Sequence, residues 1–401
     1  MRVPKLRFKE FKGKWEVKKL EELLLFKNGI NATKEQYGKG VKFINVMDII
    51  NNDFIFHDNI IGCVDITEKV FEDSKVEYGD VLFQRSSETR EEVGQASVYL
   101  DKDKSATFGG FVIRGKKIGE YNPVFMNFLL KTDLVRKDIT DKSGGSTRYN
   151  VGQETLKTIA IHLPSIPEQT KIANFLIAIN EKIAQLTQKC ELLARYKKGV
   201  MQQIFSQELR FKDDGDRDFP DWEDILLGEI INFENGKAHE SSITDNGHYI
   251  VVNSKFISSN GTVIKRSNNA ISPLKKDSIV MVMSDVPNGK ALAKCYFIEY
   301  DNKYTLNQRI CSITSDKALS KFLFYQINRN PHYLSFDNGV GQTNLRKDDV
   351  LNCPIIYPLS LDEQTKISNF LTSIDEKITE AQTYLDTVKQ YKQGLLQQMF
   401  V

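Results

Sequence analysis

The stretch Glu168-Gln-Thr-Lys-Ile-Ala-Asn-Phe-Leu176 returns 195 residues later as Glu363-Gln-Thr-Lys-Ile-Ser-Asn-Phe-Leu371. The match continues without a gap over residues 168–205 and 363–400, where 18 of 38 positions are identical. A unit of about half the chain is much longer than a solenoid repeat of roughly 20–50 residues. The sequence therefore predicts a duplicated module, each copy made of a domain and a helix.

Shorter landmarks repeat in the segments that precede these two blocks, although most of those segments differ. The repeated landmarks are Trp15 and Trp222, Asn28-Gly29 and Asn235-Gly236, and Leu6-Arg-Phe-Lys9 and Leu209-Arg-Phe-Lys212. Two copies that keep one part alike and let another part differ indicate a common frame that presents two different surfaces. Such a pattern is typical of a bipartite reader.

The bulk composition is that of a globular protein with more than one domain. The chain has 401 residues, 40% of them hydrophobic and 10% aromatic, against a prior of roughly 150 residues for each domain. Its formal net charge of +2 neither indicates nor excludes nucleic acid, because the charge that matters for binding is local.

No segment has the length and apolarity of a signal peptide or of a membrane span, which needs about 20 apolar residues. The five cysteines, at positions 63, 190, 295, 311 and 353, form no Cys-x-x-Cys pair. They fit buried thiols better than a disulfide or zinc framework. We therefore expect a cytoplasmic protein without membrane contact.

Apolar residues in the repeated blocks follow a 4,3,4,3 spacing, the 3.5-residue period of a coiled-coil seam. The seam positions include Ile172, Leu176, Ile179, Ile183, Leu186 and Leu193, and then Ile367, Leu371, Ile374, Ile378, Leu385 and Val388. Two such similar seams in one chain favour mutual pairing over two helices that each pack only on their own domain. Antiparallel pairing is favoured over parallel pairing because it sends one domain to each end and brings residue 401 close to Leu6.

Both long helices begin at the same kind of signal, a serine three residues before a glutamate. Ser165 to Glu168 and Ser360 to Glu363 are predicted capping boxes. The fold class that follows is α+β, with two globular domains separated by an antiparallel pair of long helices. The predicted bounds are 1–163 for the first domain, 164–207 for its helix, 208–357 for the second domain and 358–401 for its helix.

Each differing segment is predicted to hold strands followed by one helix. The predicted strands are Val41–Ile50, Asp80–Gln84, Ala96–Leu100 and Phe108–Arg114, and then His248–Asn253, Ser278–Met283, Cys295–Glu299 and Arg309–Ile313. The first helix is expected to start at Asn122-Pro123 and to run through Val135, since asparagine caps helices and proline suits their first turn. Leu319–Ile327 is the matching helix of the second copy.

Two polar loops occur at equivalent places in each copy. We call residues 84–90 and 284–290 loop A of the first and second copy, and residues 142–150 and 338–347 loop B. Their glycines allow close approach, and their polar side chains supply donors for phosphates and base edges. The predicted DNA-binding residues are Arg85, Ser86, Ser87, Thr89, Arg90, Ser146, Thr147, Arg148, Tyr149, Asn288, Lys290, Gln342, Thr343, Asn344, Arg346 and Lys347. Each loop taken alone could equally be an ordinary solvated loop.

Motifs for covalent chemistry are missing from the sequence. There is no Gly-x-x-x-x-Gly-Lys-Ser/Thr phosphate loop, no His-Glu-x-x-His, and no ligand spacing among the five histidines. Asn330-Pro-His-Tyr333 only superficially resembles the Asn-Pro-Pro-Tyr strip of adenine methyltransferases, because it lacks the second proline. We therefore expect no catalytic residue, no bound metal and no cofactor on this chain.

The alternation of two variable α/β segments with two similar helices resembles the specificity subunits of Type I restriction-modification enzymes. The resemblance is carried by Pro164-Ser-Ile-Pro-Glu-Gln-Thr-Lys-Ile172, by Pro358 with Glu363-Gln-Thr-Lys-Ile367, and by the turn and strand from Gly79 to Phe83. It covers essentially the whole chain, and the motif occurs twice at module spacing.

That resemblance implies two target recognition domains, each reading one half of a split, asymmetric double-stranded DNA sequence, with the helices fixing the spacer. It also implies two methyltransferase subunits that use S-adenosylmethionine, and restriction subunits that use ATP and Mg²⁺. The residues themselves leave two other functions open: a stand-alone bipartite DNA-binding regulator, or a coiled-coil scaffold that binds only proteins.

Overall fold

The computed structural model describes residues 4–401. They form two compact units: the first runs to Gln188 and includes Gln382–Val401, and the second is Lys189–Ala381. Each unit therefore holds one globular domain, the first part of one long helix and the last part of the other. We call residues 4–163 the first domain and residues 208–357 the second domain.

The first repeat contains eleven strands and six α-helices among the described residues. The strands are β1 (Glu16–Lys19), β2 (Leu24–Asn28), β3 (Tyr37–Ile44), β4 (Cys63–Val64), β5 (Val81–Gln84), β6 (Ser86–Ser87), β7 (Ala96–Val98), β8 (Thr107–Phe108), β9 (Val112–Lys117), β10 (Tyr149–Asn150) and β11 (Ala160–Leu163). The helices are α1 (Val46–Asn51), α2 (Glu68–Ser74), α3 (Pro123–Leu130), α4 (Asp133–Asp141), α5 (Gln153–Lys157) and the long α6 (Ile166–Phe205).

The second repeat contains eleven strands and five α-helices. The strands are β12 (Glu223–Leu226), β13 (Asn232–Asn235), β14 (Tyr249–Val252), β15 (Arg266–Ser267), β16 (Ile279–Val282), β17 (Ser284–Asp285), β18 (Cys295–Phe297), β19 (Tyr304–Leu306), β20 (Ile310–Thr314), β21 (Thr343–Asn344) and β22 (Pro354–Tyr357). The helices are α7 (Ser254–Ser258), α8 (Ser320–Ile327), α9 (Pro331–Leu334), α10 (Lys347–Leu351) and the long α11 (Leu361–Met399).

The strand topology of the two domains is the same. The first domain has an antiparallel sheet of order β2-β9-β5-β7, a sheet of order β4-β3-β8, and the two-stranded sheets β1-β11 and β6-β10. The second domain has sheets of order β13-β20-β16-β18 and β15-β14-β19, and the two-stranded sheets β12-β22 and β17-β21. Every strand of the first domain thus has a counterpart eleven strands later, so the whole domain is duplicated.

One inner strand of each four-stranded sheet, β5 in the first domain and β16 in the second, lies between two hydrophobic clusters. In β5, Val81 and Phe83 belong to the cluster that includes the start of α6, whereas Leu82 belongs to the cluster beneath the three-stranded sheet. In β16, Met281 and Val282 likewise belong to different hydrophobic clusters. Successive side chains of a strand point to opposite faces, so a continuous apolar run fits a strand covered on both sides.

The long helices follow the predicted period. Every predicted seam position, from Ile172 to Ile204 and from Ile367 to Met399, is buried or half-buried. In the first unit, the end of α11 at Met399 shares a buried cluster with Ile172. In the second unit, Ile204 of α6 shares a cluster with Ile367. Within each unit, the start of one long helix therefore lies beside the end of the other.

The predicted return of residue 401 to the start of the first domain is confirmed. The Leu6 N–H donates to the Gln398 carbonyl (2.9 Å), and Val401 packs against the core of the first unit. The second unit repeats this contact, since the Leu209 N–H donates to the Gln203 carbonyl (3.0 Å). The segments that open the two modules are thus anchored in the same way.

The repeated Glu-Gln motif does not form the predicted capping boxes. Glu168 accepts two hydrogen bonds from the Arg7 guanidinium (2.7 Å each), and Glu363 accepts from Arg210 (3.1 Å to each oxygen). Both carboxylates are almost fully buried. A buried carboxylate needs a paired cation, so these glutamates bind the repeated Leu-Arg-Phe-Lys segments and do not reach back to their own helix. One of the two hydrogen bonds of a capping box forms at the second helix, where the Ser360 Oγ accepts from the Glu363 N–H (3.4 Å).

The glutamines beside them join the helix start to the domain. Gln169 accepts from the Asn122 N–H (2.9 Å) and donates to the Pro164 carbonyl (2.8 Å). In the same way, Gln364 accepts from the Leu319 N–H (2.7 Å) and donates to the Pro358 carbonyl (2.8 Å). The motif recurs because it joins three segments of each module through buried polar contacts.

Two predicted strands are wrong in part. The strand predicted over Val41–Ile50 ends at Ile44, and α1 begins at Val46 because the Asp48 carboxylate accepts from the Asn45 N–H (2.7 Å). The strand predicted over Phe108–Arg114 is interrupted by a turn at residues 109–111.

The helix predicted after Asn122 is confirmed at its start, where the Asn122 side chain accepts from the Phe125 N–H (3.0 Å) and Pro123 lies in the first turn. It ends at Leu130 and does not run through Val135, because residue 132 is extended and α4 restarts at Asp133.

No helix within residues 4–401 is long and apolar enough to cross a membrane. All five cysteines are free thiols, three of them buried.

Candidate nucleic-acid interface

The structure brings loop A and loop B together in each domain. Strand β6 lies in loop A and pairs with β10 of loop B, placing Ser87 opposite Tyr149. In the second domain, β17 pairs with β21, placing Asp285 opposite Thr343. The two loops, predicted from distant segments, thus form one surface, which we call the ribbon of each domain.

The same side-chain hydrogen bond fixes both ribbons. Ser86 Oγ donates to Asn150 Oδ1 (2.5 Å), and Ser284 Oγ donates to Asn344 Oδ1 (2.7 Å). In the second domain, Gln342 also donates to Ser284 Oγ (2.5 Å). Ser86, Gln342 and Asn344 therefore help to position the ribbons, and that they contact DNA stays a prediction.

An arginine outside the loops braces the end of loop A or the residues just after it in each domain. Arg136 of α4 donates to the carbonyls of Glu91 (2.9 Å) and Val93 (2.7 Å), and burial lowers its pKa to about 10. Arg329 donates to the carbonyls of Lys290 (2.8 Å) and Leu292 (3.3 Å). Neither brace was predicted from the sequence, because Arg136 in α4 and Arg329 in the turn after α8 are far along the chain from the carbonyls that they bind.

Backbone conformation shapes loop B. Gly145 has a φ of 122°, and a Cβ there would lie 2.1 Å from the Arg148 carbonyl oxygen, so only glycine fits. In the second domain, Asp337 accepts from the backbone N–H groups of Asn288 (3.1 Å) and Gly339 (3.0 Å) and from the Thr343 hydroxyl (3.2 Å). That carboxylate ties both loops of the second domain together.

The predicted DNA-binding residues fall into two groups. Most of these side chains are exposed or half-exposed: Arg85, Ser86, Thr89, Arg90, Ser146, Thr147, Arg148, Tyr149, Asn288, Lys290, Gln342, Asn344, Arg346 and Lys347. Ser87 and Thr343 are buried, and Ser87 donates to Glu92 (3.0 Å). The geometry favours a supporting role for these two.

The predicted cations differ in how far protein carboxylates already engage them. Arg90 donates to the Thr140 carbonyl (3.2 Å) and to Asp141 (3.5 Å). Arg346 lies 3.8 Å from Asp349, but 87% of its side chain is exposed. Arg85, Arg148 and Lys290 have no carboxylate within 4.0 Å among residues 4–401. Exposed cations of this kind are available to phosphates or base edges.

The chemistry available to this surface is recognition. Within residues 4–401, no three histidine, cysteine, aspartate or glutamate side chains converge as metal ligands do. The ribbons offer hydroxyl, amide, guanidinium and ammonium donors on a backbone fixed by repeated hydrogen bonds. Rigid placement of donors is what direct reading of base edges requires.

Comparison with known proteins agrees with this arrangement. Residues 12–194 and 220–390 each match the Type I restriction modification DNA specificity domain. The chain is 23% identical over 405 residues to the putative type I restriction enzyme MjaX specificity subunit of Methanocaldococcus jannaschii, covering 95% of this chain and 92% of that protein. It is 24% identical over 368 residues to the StySPI specificity subunit of Salmonella potsdam, covering 82% and 78%.

A further relative, the MjaIX specificity subunit of Methanocaldococcus jannaschii, is 27% identical over 239 residues, and the match spans only about half of that protein, 52% of its length. Among solved structures, the S subunit of the M. genitalium Type I restriction-modification system superposes with a TM-score of 0.59 at 16% identity, over 100% of this chain and 99% of that one. A chain from a structural study of type I R-M complex assembly gives a TM-score of 0.61, also at 16% identity, over 98% of both chains. Since the two matched segments cover most of its length, the chain belongs to the Type I restriction-modification DNA specificity family.

Proposed function

We propose that this chain is the non-catalytic specificity subunit of a Type I restriction-modification complex and that each domain reads one half of a bipartite, asymmetric DNA target. The observation that carries the proposal is the pair of ribbons. Both are fixed by the same serine–asparagine hydrogen bond and the same arginine brace. Around these shared supports the exposed side chains differ, as two half-sites of different sequence require.

The long helices would pair along their seams as an antiparallel coiled coil and act as a ruler between the two domains. Two features support this part of the proposal. The seam positions are buried or half-buried along both helices, and in each unit the start of one helix lies beside the end of the other. The helices would also dock two methyltransferase subunits, which supply S-adenosylmethionine chemistry, and through them the ATP- and Mg²⁺-dependent restriction subunits.

A stand-alone regulator and a protein scaffold are the alternatives. A regulator should bind its target tightly by itself, whereas a specificity subunit should require methyltransferase subunits for full affinity. A scaffold should show no salt-dependent DNA binding. Phosphate neutralisation makes the affinity of a DNA-binding protein fall with salt along a straight line on a log–log scale. Salt titration of the chain with and without a co-expressed methyltransferase therefore separates the three functions.

The division of labour is tested by exchanging residues 30–150 for the corresponding segment of another family member. Methylation mapping of the assembled complex should show one changed half-site, with the other half-site and the spacer retained. A change in the spacer alone would contradict the proposal.

The ruler is tested by inserting one heptad into a seam. Seven residues lengthen an α-helix by about 10 Å, close to three base pairs at about 3.4 Å each. The spacer should lengthen while both half-sites persist. Because three base pairs rotate the second half-site by roughly a third of a turn, binding to the longer site is expected to be weaker. An altered half-site would contradict the ruler.

A further inference from the structure

A third segment borders each ribbon at an equivalent place. We call residues 109–111, between β8 and β9, and residues 307–309, between β19 and β20, the tip turns. Each is bonded to the start of loop A or to the residue just before it: the Arg85 N–H donates to the Phe111 carbonyl (2.9 Å), and the Met283 N–H donates to the Arg309 carbonyl (3.0 Å). The tip turns therefore belong to the same surface as the ribbons.

The repeated Asn-Gly landmarks, at residues 28–29 and 235–236, pack against these turns and bond to the strands that follow them. The Gly29 N–H donates to the Val112 carbonyl (3.1 Å), and the Gly236 N–H donates to the Ile310 carbonyl (3.0 Å). A Cβ on Gly29 would lie 2.0 Å from the Gly109 carbonyl oxygen, and one on Gly236 would lie 2.0 Å from the carbonyl oxygen of residue 307. Only glycine allows this approach, so the support of the turn is repeated in both domains.

The residue presented at the last position of the turn is different in each domain. Phe111 is 64% exposed, more than any other phenylalanine among residues 4–401. Arg309 is exposed and has a φ of 65°, a conformation that favours glycine or asparagine. Strained residues of this kind cluster at binding and catalytic sites. An exposed aromatic ring and a strained arginine at matching places, beside the exposed loop cations, indicate contact with a ligand.

We propose that Phe111 and Arg309 are specificity-determining residues, each contacting one base of the half-site that its domain reads. Phe111 would pack on the 5-methyl group of a thymine, and Arg309 would donate two hydrogen bonds to O6 and N7 of a guanine. These are the contacts that apolar and guanidinium groups make in the major groove. The inference rests on the proposed function and adds two residues that lie outside loops A and B.

Base analogues test each contact atom by atom in the chain assembled with its methyltransferase subunits. Replacing one thymine of the first half-site by deoxyuridine removes only the methyl group, and wild-type affinity should fall about fivefold at that position. Replacing one guanine of the second half-site by 7-deazaguanine removes N7, and affinity should fall about tenfold. Phe111→Ala should lose the first sensitivity and keep the second. Arg309→Ala should do the reverse.

Matched variants separate reading from support. Phe111→Leu should retain part of the methyl sensitivity, and Arg309→Lys should lower the 7-deazaguanine sensitivity because lysine lacks the planar fork. Arg309→Gly removes the side chain while relieving the backbone conformation, so it replaces the alanine variant if that chain folds poorly.

Unchanged analogue sensitivity in the Phe111 and Arg309 variants, or an equal loss of affinity for all sequences, would overturn the inference. A wild-type complex without any bipartite preference would instead overturn the proposed function.

Discussion

The two domains bind their long helices through the same contacts but present different side chains to solvent. Phe8 packs edge-on against Phe175 in the first unit (5.8 Å), as Phe211 does against Phe370 in the second (5.5 Å). By contrast, loop B has a single glycine-rich turn around Gly145 in the first domain and a longer loop tied by a carboxylate in the second. Positions that join a domain to the long helices stay alike, and positions in the exposed loops differ.

A second difference lies among the contacts that join each domain to the long helices. Glu168 accepts from Arg7 and also from the indole N–H of Trp15 (3.3 Å), whereas the Trp222 indole N–H has no hydrogen-bond partner among residues 4–401. The equivalent tryptophan rings nevertheless pack on equivalent phenylalanines, at 6.1 Å in both units. The frame therefore tolerates the loss of one hydrogen bond while its ion pair remains.

Breaking the buried arginine–glutamate ion pair of either unit should have the largest effect on stability. Arg7→Ala leaves the Glu168 carboxylate buried without a cation, which typically costs about 3–5 kcal/mol. Arg210→Ala should cost about the same in the second unit. Urea unfolding followed by fluorescence measures both in single-tryptophan backgrounds, Trp222→Phe for the first unit and Trp15→Phe for the second, since Trp15 and Trp222 are the only tryptophans in the chain.

Lys9→Ala is the matched control for these variants, because this cation lies in the same segment and is exposed. An Arg7→Ala variant as stable as Lys9→Ala would show that the buried pair does not hold the module together.

The exposed surface is expected to respond more weakly and more selectively. Arg148 is exposed without a nearby carboxylate, whereas Arg90 is engaged by Asp141. Arg148→Ala should weaken DNA binding by about 1–3 kcal/mol if the residue reads a base, or lower the salt slope by about one if it contacts a phosphate. Arg90→Ala should change binding less. Salt-dependent binding of the assembled complex decides between them, and an equal loss for both variants would contradict the assignment.

The two tryptophans provide a smaller comparison. Trp15→Phe removes a donor to a buried carboxylate and should cost about 1–2 kcal/mol, whereas Trp222→Phe removes an unsatisfied donor and should be nearly neutral. Calorimetric unfolding of the two variants measures the difference. Equal costs would mean that the 3.3 Å bond contributes nothing to the first unit.

The smallest expected effect is a pH slope confined to the first domain. Burial raises the pKa of Asp80 above its ordinary value, opposed by hydrogen bonds from the N–H groups of Lys117 and Glu77. The folded state then binds this proton more tightly than the unfolded state does. The contribution of Asp80 to the free energy of unfolding therefore decreases as the pH rises from about 3.9, the ordinary value, through the folded pKa.

The equivalent position in the second domain is the uncharged Ser278. Relative to Asp80→Asn, the wild-type chain should gain stability as the pH is lowered through that window. The unfolding transition of the second unit, followed by Trp222 fluorescence in a Trp15→Phe background, should be the same in both chains. Urea titrations at several pH values measure this difference. A constant difference between the two chains at all pH values would contradict the assigned shift.

The sequence alone predicts the duplication and the helical period, because a repeat and a spacing are visible in one dimension. It also locates loops A and B, since glycine and polar residues mark turns. Pairing between the loops was not predictable, because the Ser86–Asn150 bond joins residues 64 positions apart. The tip turns were hidden because Phe111 and Arg309 lie inside or at the edge of apolar runs that were predicted as continuous strands.

The misassigned capping boxes have a similar cause. The pattern from Ser165 to Glu168 fits a local hydrogen bond, but the partner that Glu168 binds is Arg7, which is 161 residues away. A repeated Arg and a repeated Glu in the two modules were present in the sequence, yet nothing in a single chain shows that they meet. Buried ion pairs between distant segments require the fold.

We propose that each domain reads one half-site and that both are held by the same contacts to the long helices. This proposal is tested most directly by replacing residues 208–357 with a second copy of residues 5–163 and mapping methylation by the assembled complex. We predict a symmetric target that carries the first domain's half-site twice, in inverted orientation. A target that still contains the half-site assigned to the second domain would contradict this division of labour.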